Sequence, residues 1–428
     1  MNSVPSALTS EEKRILRNPQ PGEAGDFYWA CKNGQIERVK ELLKTISYQD
    51  LNRLEPNGST PLHAASYAGH VEIVHILLHE YGCRRDCLNR HGLTAYEEAS
   101  SDEIRQFFHR PGKQNRFCNN EQNENSASLL NISAYTHDEE ENNMLDEEFL
   151  NDKWLEGQAT SEEIEKAKQE VGVGKNVAQS TFLRIIVGKL IDERLTETWA
   201  ATEIRKILLQ EVTMGHRAYE KCMFLVTKAF QEHKIEYLLR LYTLETPFYR
   251  TLVNNVNALS IPVFTALDKL KARHFQGTSY RGVTMSDDDL RAYRWALKKN
   301  GAIRTITFCS TSLNHAVAER FAAMSRRNDE KQNILMVFEF PTVCDTAINL
   351  GKLSKDWPCI SEYENEAEIL VLPWTLFTIK QIMTNNNYLI IHLENIPAKK
   401  RLIILVLKDY YLYGKEGYAS SRYYKKDS

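Results

Sequence analysis

The chain repeats itself near its N-terminus, and that self-similarity limits its fold more than any other feature. Asn33 to Leu43 (NGQIERVKELL) aligns with Ala68 to Leu78 (AGHVEIVHILL) at an offset of 35. Gly34 falls on Gly69, Val39 on Val74, and Leu42-Leu43 on Leu77-Leu78. Ser59 to Ala65 (STPLHAA) aligns with Leu93 to Ala99 (LTAYEEA) at an offset of 34, with Thr60 on Thr94 and Ala65 on Ala99. A unit this short cannot bury a core alone and must stack on its copies. Thr60 and Pro61 set the turn that opens a helix. Ala64 and Ala65 let paired helices approach closely. Val71, Val74, Leu77 and Leu78 form the apolar stripe of a second helix. Two fuller units, 25–58 and 59–92, are followed by a stub to residue 110.

A period near 33 carrying T-P-L-H-A-A resembles the ankyrin repeat. The resemblance implies an all-α stack over residues 22–110 that offers a surface to a protein partner, which the sequence does not name. The alternative is an N-terminal cap packed on the rest of the chain. It supplies no chemistry of its own.

The other 318 residues need a different account. A length of 428 suggests two to three domains, and 42 % hydrophobic with 26 % charged residues excludes wholesale disorder. Only 19 Gly and 12 Pro exclude collagen-like chains. With 54 basic and 57 acidic residues the net charge is −3, so neither a nucleic-acid nor a membrane partner is expected. No apolar run reaches the ~18 residues of a membrane helix. The first residues lack the apolar core of a signal peptide, so an intracellular, cytoplasmic protein is expected. Eight cysteines are scattered, at 31, 83, 87, 118, 222, 309, 344 and 359. Nothing completes a zinc site around Cys83 and Cys87; all eight read as reduced packing residues, and no metal is expected.

Beyond the stack, residues 111–143 are rich in Asn and end in the acidic run Asp138 to Glu141, the composition of a flexible linker. Residues 144–235 read as helical. Ser161 opens one helix, Phe182, Ile185, Ile186 and Leu190 stripe another, and Ile204, Ile207, Leu208 and Val212 a third. Trp154 and Trp199 read as packing aromatics. From 236 to 410 helices give way to short strand-like runs: TSYRGVT, AIRTITFCSTSL, NILMVFEFPT, TAINL, AEILVLPWTLFTIKQIM, YLIIHLENI and RLIILVL. Helices followed by meandering strands argue for α+β with antiparallel pairs. A basic, tyrosine-rich tail, 411–428, carries no assignment.

Three motifs in this half carry chemistry. Tyr280-Arg281-Gly282, placed at a strand end, offers a guanidinium that can grip a phosphate, with Gly282 admitting a ligand to the backbone. Ser310-Thr311-Ser312 puts two hydroxyls on one strand face, able to orient a carboxylate or a ribose. Glu366-Ala367-Glu368, read as strand, would aim two carboxylates to one side. One could stabilise a developing cation at a sugar carbon while the other handles a nucleophile's proton. Alternation of Glu362, Glu364, Glu366 and Glu368 also fits a solvated edge. The order, spaced 29 and then 58 residues from 281 to 310 to 368, is far more specific than any one motif.

SYRGV, FCSTSLNHAVAERF and ISEYENEAEILVLPWTLF resemble the arginine-specific mono-ADP-ribosyltransferases, the Arg–Ser–Glu class. The likeness covers about 237–395. It implies an α+β ADP-ribosyltransferase fold, a helical part followed by a mostly antiparallel β-sandwich, with NAD as co-substrate and no metal. Arg281 would hold the phosphates and the nicotinamide-side ribose of NAD, with Gly282 and Ser312 beside it. Ser310 would support that pocket and hydrogen-bond Glu368. Glu368 would bind the ribose hydroxyl and stabilise the transition state, and Glu366 would position the acceptor guanidinium. Phe321 would pack on nicotinamide, and Tyr363 would belong to the target-recognition loop. VLPW departs from the two prolines of many relatives. YRG and STS in the first two places disfavour the polymer-forming relatives with a His–Tyr–Glu set. The activity implied is transfer of ADP-ribose from NAD to arginine on a target protein, with release of nicotinamide. Two alternatives remain: NAD hydrolysis by water, or an inert fold serving an ankyrin-based scaffold.

Overall fold

A computed structural model describes residues 10–110, 155–158, scattered positions between 161 and 175, 197–244, 246–248, 251, 255–305, 307–324, 331–384 and 388–398. The expected linker 111–143, the Phe182–Leu190 stripe, Trp154, the RLIILVL run and the tail 411–428 lie outside the described residues.

Helix α1 (Ser10–Arg17) precedes the repeat region, which comprises α2 (Asp26–Lys32), α3 (Ile36–Leu42), α4 (Tyr48–Leu51), α5 (Pro61–Ala68), α6 (Val71–His75) and α7 (Asp102–Phe107), with a π-helical turn at Ile76–Glu80 continuing α6. The opening of α5 follows from its sequence. Thr60 is extended, its hydroxyl accepts from the His63 amide, and Pro61 takes the first turn, where no amide donor is needed. Gly69 closes the helix at φ +85°, which costs a glycine little. His63 is buried and ties the repeats together. Its Nε2 donates to the Leu93 carbonyl at 3.0 Å, which leaves Nδ1 to accept from the Thr60 hydroxyl at 2.7 Å. Burial pushes the imidazole down to about 4. The core holds Val39, Leu62, Ala65, Ile73, Val74, Leu77 and Ile104; Val71 sits at its rim.

The second half begins with a correction. Within 144–235, read as helical, Leu155–Gln158 is strand β1, paired antiparallel with β3 (Ala302–Thr305). Its partner is more than 140 positions away, beyond any local periodicity. Then come α8 (Glu197–Glu211), α9 (Tyr219–Glu232), α10 (Ile235–Thr243) and α11 (Val256–Thr265), followed by β2 (His274–Ser286), α12 (Asp287–Lys298), β3, β4 (Cys309–Ser312), α13 (His315–Met324), β5 (Lys331–Asn349), β6 (Glu368–Val371), β7 (Leu376–Thr384) and β8 (Leu389–Ile396).

These eight strands share one hydrogen-bonded network in the order β1-β3-β7-β8-β5-β2-β4-β6, and β6 returns to pair with β5. Every pairing is antiparallel except β5–β8. The strand β5 is 19 residues long and fuses two runs read separately. It pairs with β8 through Ile334–Glu339, with β2 from Lys331 to Phe340 and again at Cys344 and Ile348, and with β6 through Ala347–Asn349. This shared strand is what folds the β6 end of the network over β5. The interior holds Met336, Phe338, Phe340, Ile369, Val371, Phe377 and Leu393, covered by Leu290 and Tyr293 of α12. Helices α8 to α11 bury Ile204, Leu208, Leu225, Leu239, Tyr242 and Leu259 against Ile348, Leu350, Leu370 and Leu372. Trp199 packs against this cluster. Packing is therefore continuous across 235/236, the expected domain boundary.

Candidate active site

Three neighbouring strands bring the sequence motifs together. Tyr280 of β2 pairs with Ser312 of β4, and Ser312 pairs with Glu368 of β6. Arg281 lies in the middle of β2, opposite Met336, and not at a strand end as its motif suggested. The residue is 3 % exposed, and its Nη1 donates to the Ser310 carbonyl at 2.8 Å. That bond anchors the cation across the β2–β4 seam.

The two motif hydroxyls have different partners. Ser312 Oγ donates to the Glu366 carbonyl at 2.5 Å and accepts from the Asn314 amide at 2.9 Å. It thus fixes the backbone of the loop before β6. Ser310 Oγ meets the Tyr242 hydroxyl at 3.4 Å. The hydroxyl on Glu368 is that of Ser361, whose Oγ donates to Oε2 at 2.8 Å. The contact expected of Ser310 is therefore made by Ser361, carried on the chain ahead of β6. Ser361 lies inside the ISEYENEAEILVLPWTLF stretch, which by itself gives it no role, and Tyr242 is a helical Tyr that advertises nothing.

The two carboxylates come together by a route other than the one expected. Glu364–Glu366 is a 3₁₀ turn, Ala367 is left-handed at φ 45°, and Glu368 is the first residue of β6. Alternation along a strand does not apply here. Glu366 and Glu368 nevertheless line one cleft with Tyr280, Arg281, Gly282, Ser310, Ser312 and Val317. The solvated-edge reading fails as well, since Glu362, Glu366 and Glu368 are all buried. The cleft volume is about 10 Å³, room for roughly one water, so admitting a dinucleotide requires its walls to move. Phe321 lies on α13, and its side chain is outside the described residues.

Buried carboxylates need cations; the repeat region supplies Arg110 and Arg85, and α9 and α10 supply Lys221 and Arg240. Glu366 accepts both arms of Arg110, from Nε at 2.7 Å and Nη2 at 2.9 Å, with both side chains almost fully buried. The Tyr363 ring, expected in a recognition loop, is buried with the Arg110 guanidinium 4.0 Å and the Arg85 guanidinium 5.1 Å from its centre. Glu362 accepts from Lys221 and lies 3.2 Å from Arg85 Nε and 3.5 Å from Arg240 Nη1. Lys221 also donates to the Cys83 carbonyl at 3.0 Å. Burial pushes the Glu364 carboxyl up to about 7, with a Thr94 hydrogen bond pulling the other way. Of the two arrangements left open for the repeats, the packed one is present along this seam. A larger cavity of about 210 Å³ lies elsewhere at the seam, lined by Arg84, Asp86, Cys87, Tyr237, Arg240 and Trp357. Its charges answer one another, Arg84 and Asp86 at 2.9 Å.

Among the described residues no group of three or more His, Cys, Asp or Glu could hold a metal ion, and no helix is long and apolar enough to cross a membrane. Seven described cysteines are free thiols, six of them buried.

The ankyrin-repeat family model matches residues 27–110 in three copies, so this region consists of ankyrin repeats. Myotrophin of Xenopus tropicalis is 38 % identical over 53 residues, 12 % of this chain and 43 % of that protein. The chain therefore spans less than half the length of this curated relative. Solved structures similar to it include the Vis toxin, an ADP-ribosyltransferase from Vibrio splendidus, at 18 % identity, covering 56 % of this chain and 88 % of that one with a TM-score of 0.24. The type III effector XopAI of Xanthomonas axonopodis pv. citri aligns at 15 % identity over 56 % of this chain and all of that one, TM-score 0.32. The Clostridium limosum C3 exoenzyme aligns at 15 % identity over 42 % and 94 %, TM-score 0.28. Overlap at this level decides neither fold nor activity.

Proposed function

We propose that this chain is an enzyme that transfers ADP-ribose from NAD to an arginine of a target protein. The observation that carries the reading is the grip of Glu366 on a guanidinium at a cleft that Arg281 and Glu368 also line. A carboxylate that accepts two parallel N–H bonds is well suited to an arginine acceptor. Arg281 suits the diphosphate for the same reason. The donor set fits NAD: one fixed cation, hydroxyls for the ribose, and a carboxylate held by Ser361 for a cationic sugar carbon.

In the reaction, the bond between the ribose C1 and nicotinamide breaks and nicotinamide leaves with the electron pair. Positive charge spreads over C1 and the ring oxygen. Glu368, fixed before the reaction starts, stabilises that charge without reorganisation. A guanidinium nitrogen forms the new bond to C1 and releases a proton, which Glu366 is placed to take. Ser312 acts through Glu366, since its hydroxyl holds that residue's carbonyl. The ankyrin repeats would recruit the target.

The test is incubation of the purified chain with labelled NAD and a small guanidino acceptor. Label on the acceptor supports the reading. Free ADP-ribose with an unlabelled acceptor would make the chain an NAD glycohydrolase, and intact NAD would leave an ankyrin scaffold.

A further inference from the structure

Arg110 closes the repeat region just beyond α7, 256 positions from the carboxylate it binds. Its neighbours hold it there. Phe108 is buried in the repeat core, and its ring packs edge-on against Tyr96 at 5.8 Å. The end of the repeat region is docked on the C-terminal half by Lys352 on Glu97 at 2.5 Å, by Arg85 on Glu362 and by Lys221 of α9 on the Cys83 carbonyl. The result is a guanidinium with both the bidentate acceptor and the aromatic face that a target arginine would require. Burying a carboxylate such as Glu366 demands a cation, but a lysine would satisfy the charge. The fold instead delivers the same planar group that the reaction consumes. The cleft beside it has room for about one water.

We propose that Arg110 is an intramolecular occupant of the acceptor site, so that a target arginine must displace it from Glu366 and Tyr363. This deepens the transferase reading and rests on its assignment of Glu366 to the acceptor. Release of the last ankyrin repeat from the β-half opens the site. The ankyrin region thereby sets how often the enzyme can take a substrate.

The full chain is titrated with a fluorescent alkylguanidine in the absence of NAD. Arg110→Gln binds the probe about tenfold or more tightly than the unsubstituted chain, because the site is no longer pre-filled. Arg110→Lys, which keeps the charge and loses the fork, falls between. Adding Glu366→Gln to Arg110→Gln removes the gain. Equal affinity in the unsubstituted chain and Arg110→Gln overturns the proposal. Should Arg110→Gln fail to fold, Lys352→Glu tests the same point from outside the cleft by repelling Glu97. About threefold tighter binding is expected there, as suits a rim ion pair, and unchanged affinity overturns the proposal. ADP-ribose mapped to Arg110 after incubation of the unsubstituted chain with NAD also overturns it, since Arg110 would then be consumed. NAD cleavage by Arg110→Gln without acceptor separates the two readings. No cleavage with the tenfold gain intact sinks the transferase reading alone; cleavage without the gain sinks the occupancy alone.

Discussion

The ankyrin stack and the cleft are assembled over different distances along the chain. In the stack, partners sit one repeat apart: His63 with Leu93 at 30 positions, Asn52 with Arg84 and Lys40 with Glu72 at 32, Ser100 with Ser66 at 34. In and around the cleft no one spacing recurs: partners sit 7, 29, 54, 141 and 256 positions apart. A stack can lose one tie and keep its neighbours. A cleft built from single, unrepeated contacts loses a function with each.

The sharpest way to probe that contrast is at Glu368. Glu368→Gln should lower both transfer and NAD cleavage by on the order of 10²-fold or more while NAD still binds, because the carboxylate acts on charge that develops only in the transition state. Rates and an NAD titration on the same preparation check it; unchanged rates remove Glu368 from the chemistry. Glu366→Gln should be selective. Arginine labelling falls about tenfold further than NAD cleavage, since water needs no guanidinium handled. Parallel losses would merge the two roles.

On the stack side the cost is in stability. His63→Ala should destabilise the repeats by about 1–3 kcal/mol, leaving the Leu93 carbonyl and the Thr60 hydroxyl without their partner. Denaturant melts read this, and NAD cleavage should persist at temperatures where the repeats stay folded. An unchanged melt would show that the neighbouring repeats carry the site without it.

The smallest effect is a pH dependence at the seam. Glu364 is pushed up to about 7, so between roughly pH 4.5 and 7 the folded chain holds a proton the unfolded chain gives up. Its contribution to stability is full below that window and lost as pH rises through it. His63, pushed down to about 4, works oppositely: the unfolded chain binds the extra proton between about pH 4 and 6.5, so stability is lost as pH falls. The difference in melts between the unsubstituted chain and Glu364→Gln isolates the contribution of Glu364. A difference that does not change across that window would contradict it.

The stack was legible because its rules are local. Thr60 caps, Pro61 opens and Gly69 closes within one helix, and the copy a repeat away says the same thing again. Arg281, Ser310, Glu366 and Glu368 were legible as a set only by their order. Their geometry was not, because Ala367 turns left-handed and breaks the alternation that a strand would impose. The sequence reads as two runs, NILMVFEFPT and TAINL, with Val343 to Asp345 between them, yet β5 continues through Pro341 and across that gap. Irregular register there, with Gly277 facing Phe340 and Phe275 facing Cys344, leaves 341–343 without ladder partners on β2. Arg110 and Ser361 were invisible for the opposite reason. Arg110 stands beside no motif, and only the docking of one half on the other gives it a role; Ser361 sits within a motif-bearing stretch, but the turn that brings its hydroxyl onto Glu368 seven positions on leaves no periodic signal.

The most direct test of the account is a crystal structure of Arg110→Gln with a non-hydrolysable NAD analogue. The account predicts the diphosphate against Arg281, the nicotinamide ribose against Glu368, and Glu366 facing open space beside it. A dinucleotide bound in the cavity lined by Arg84 and Trp357, or nowhere on the chain, would contradict it.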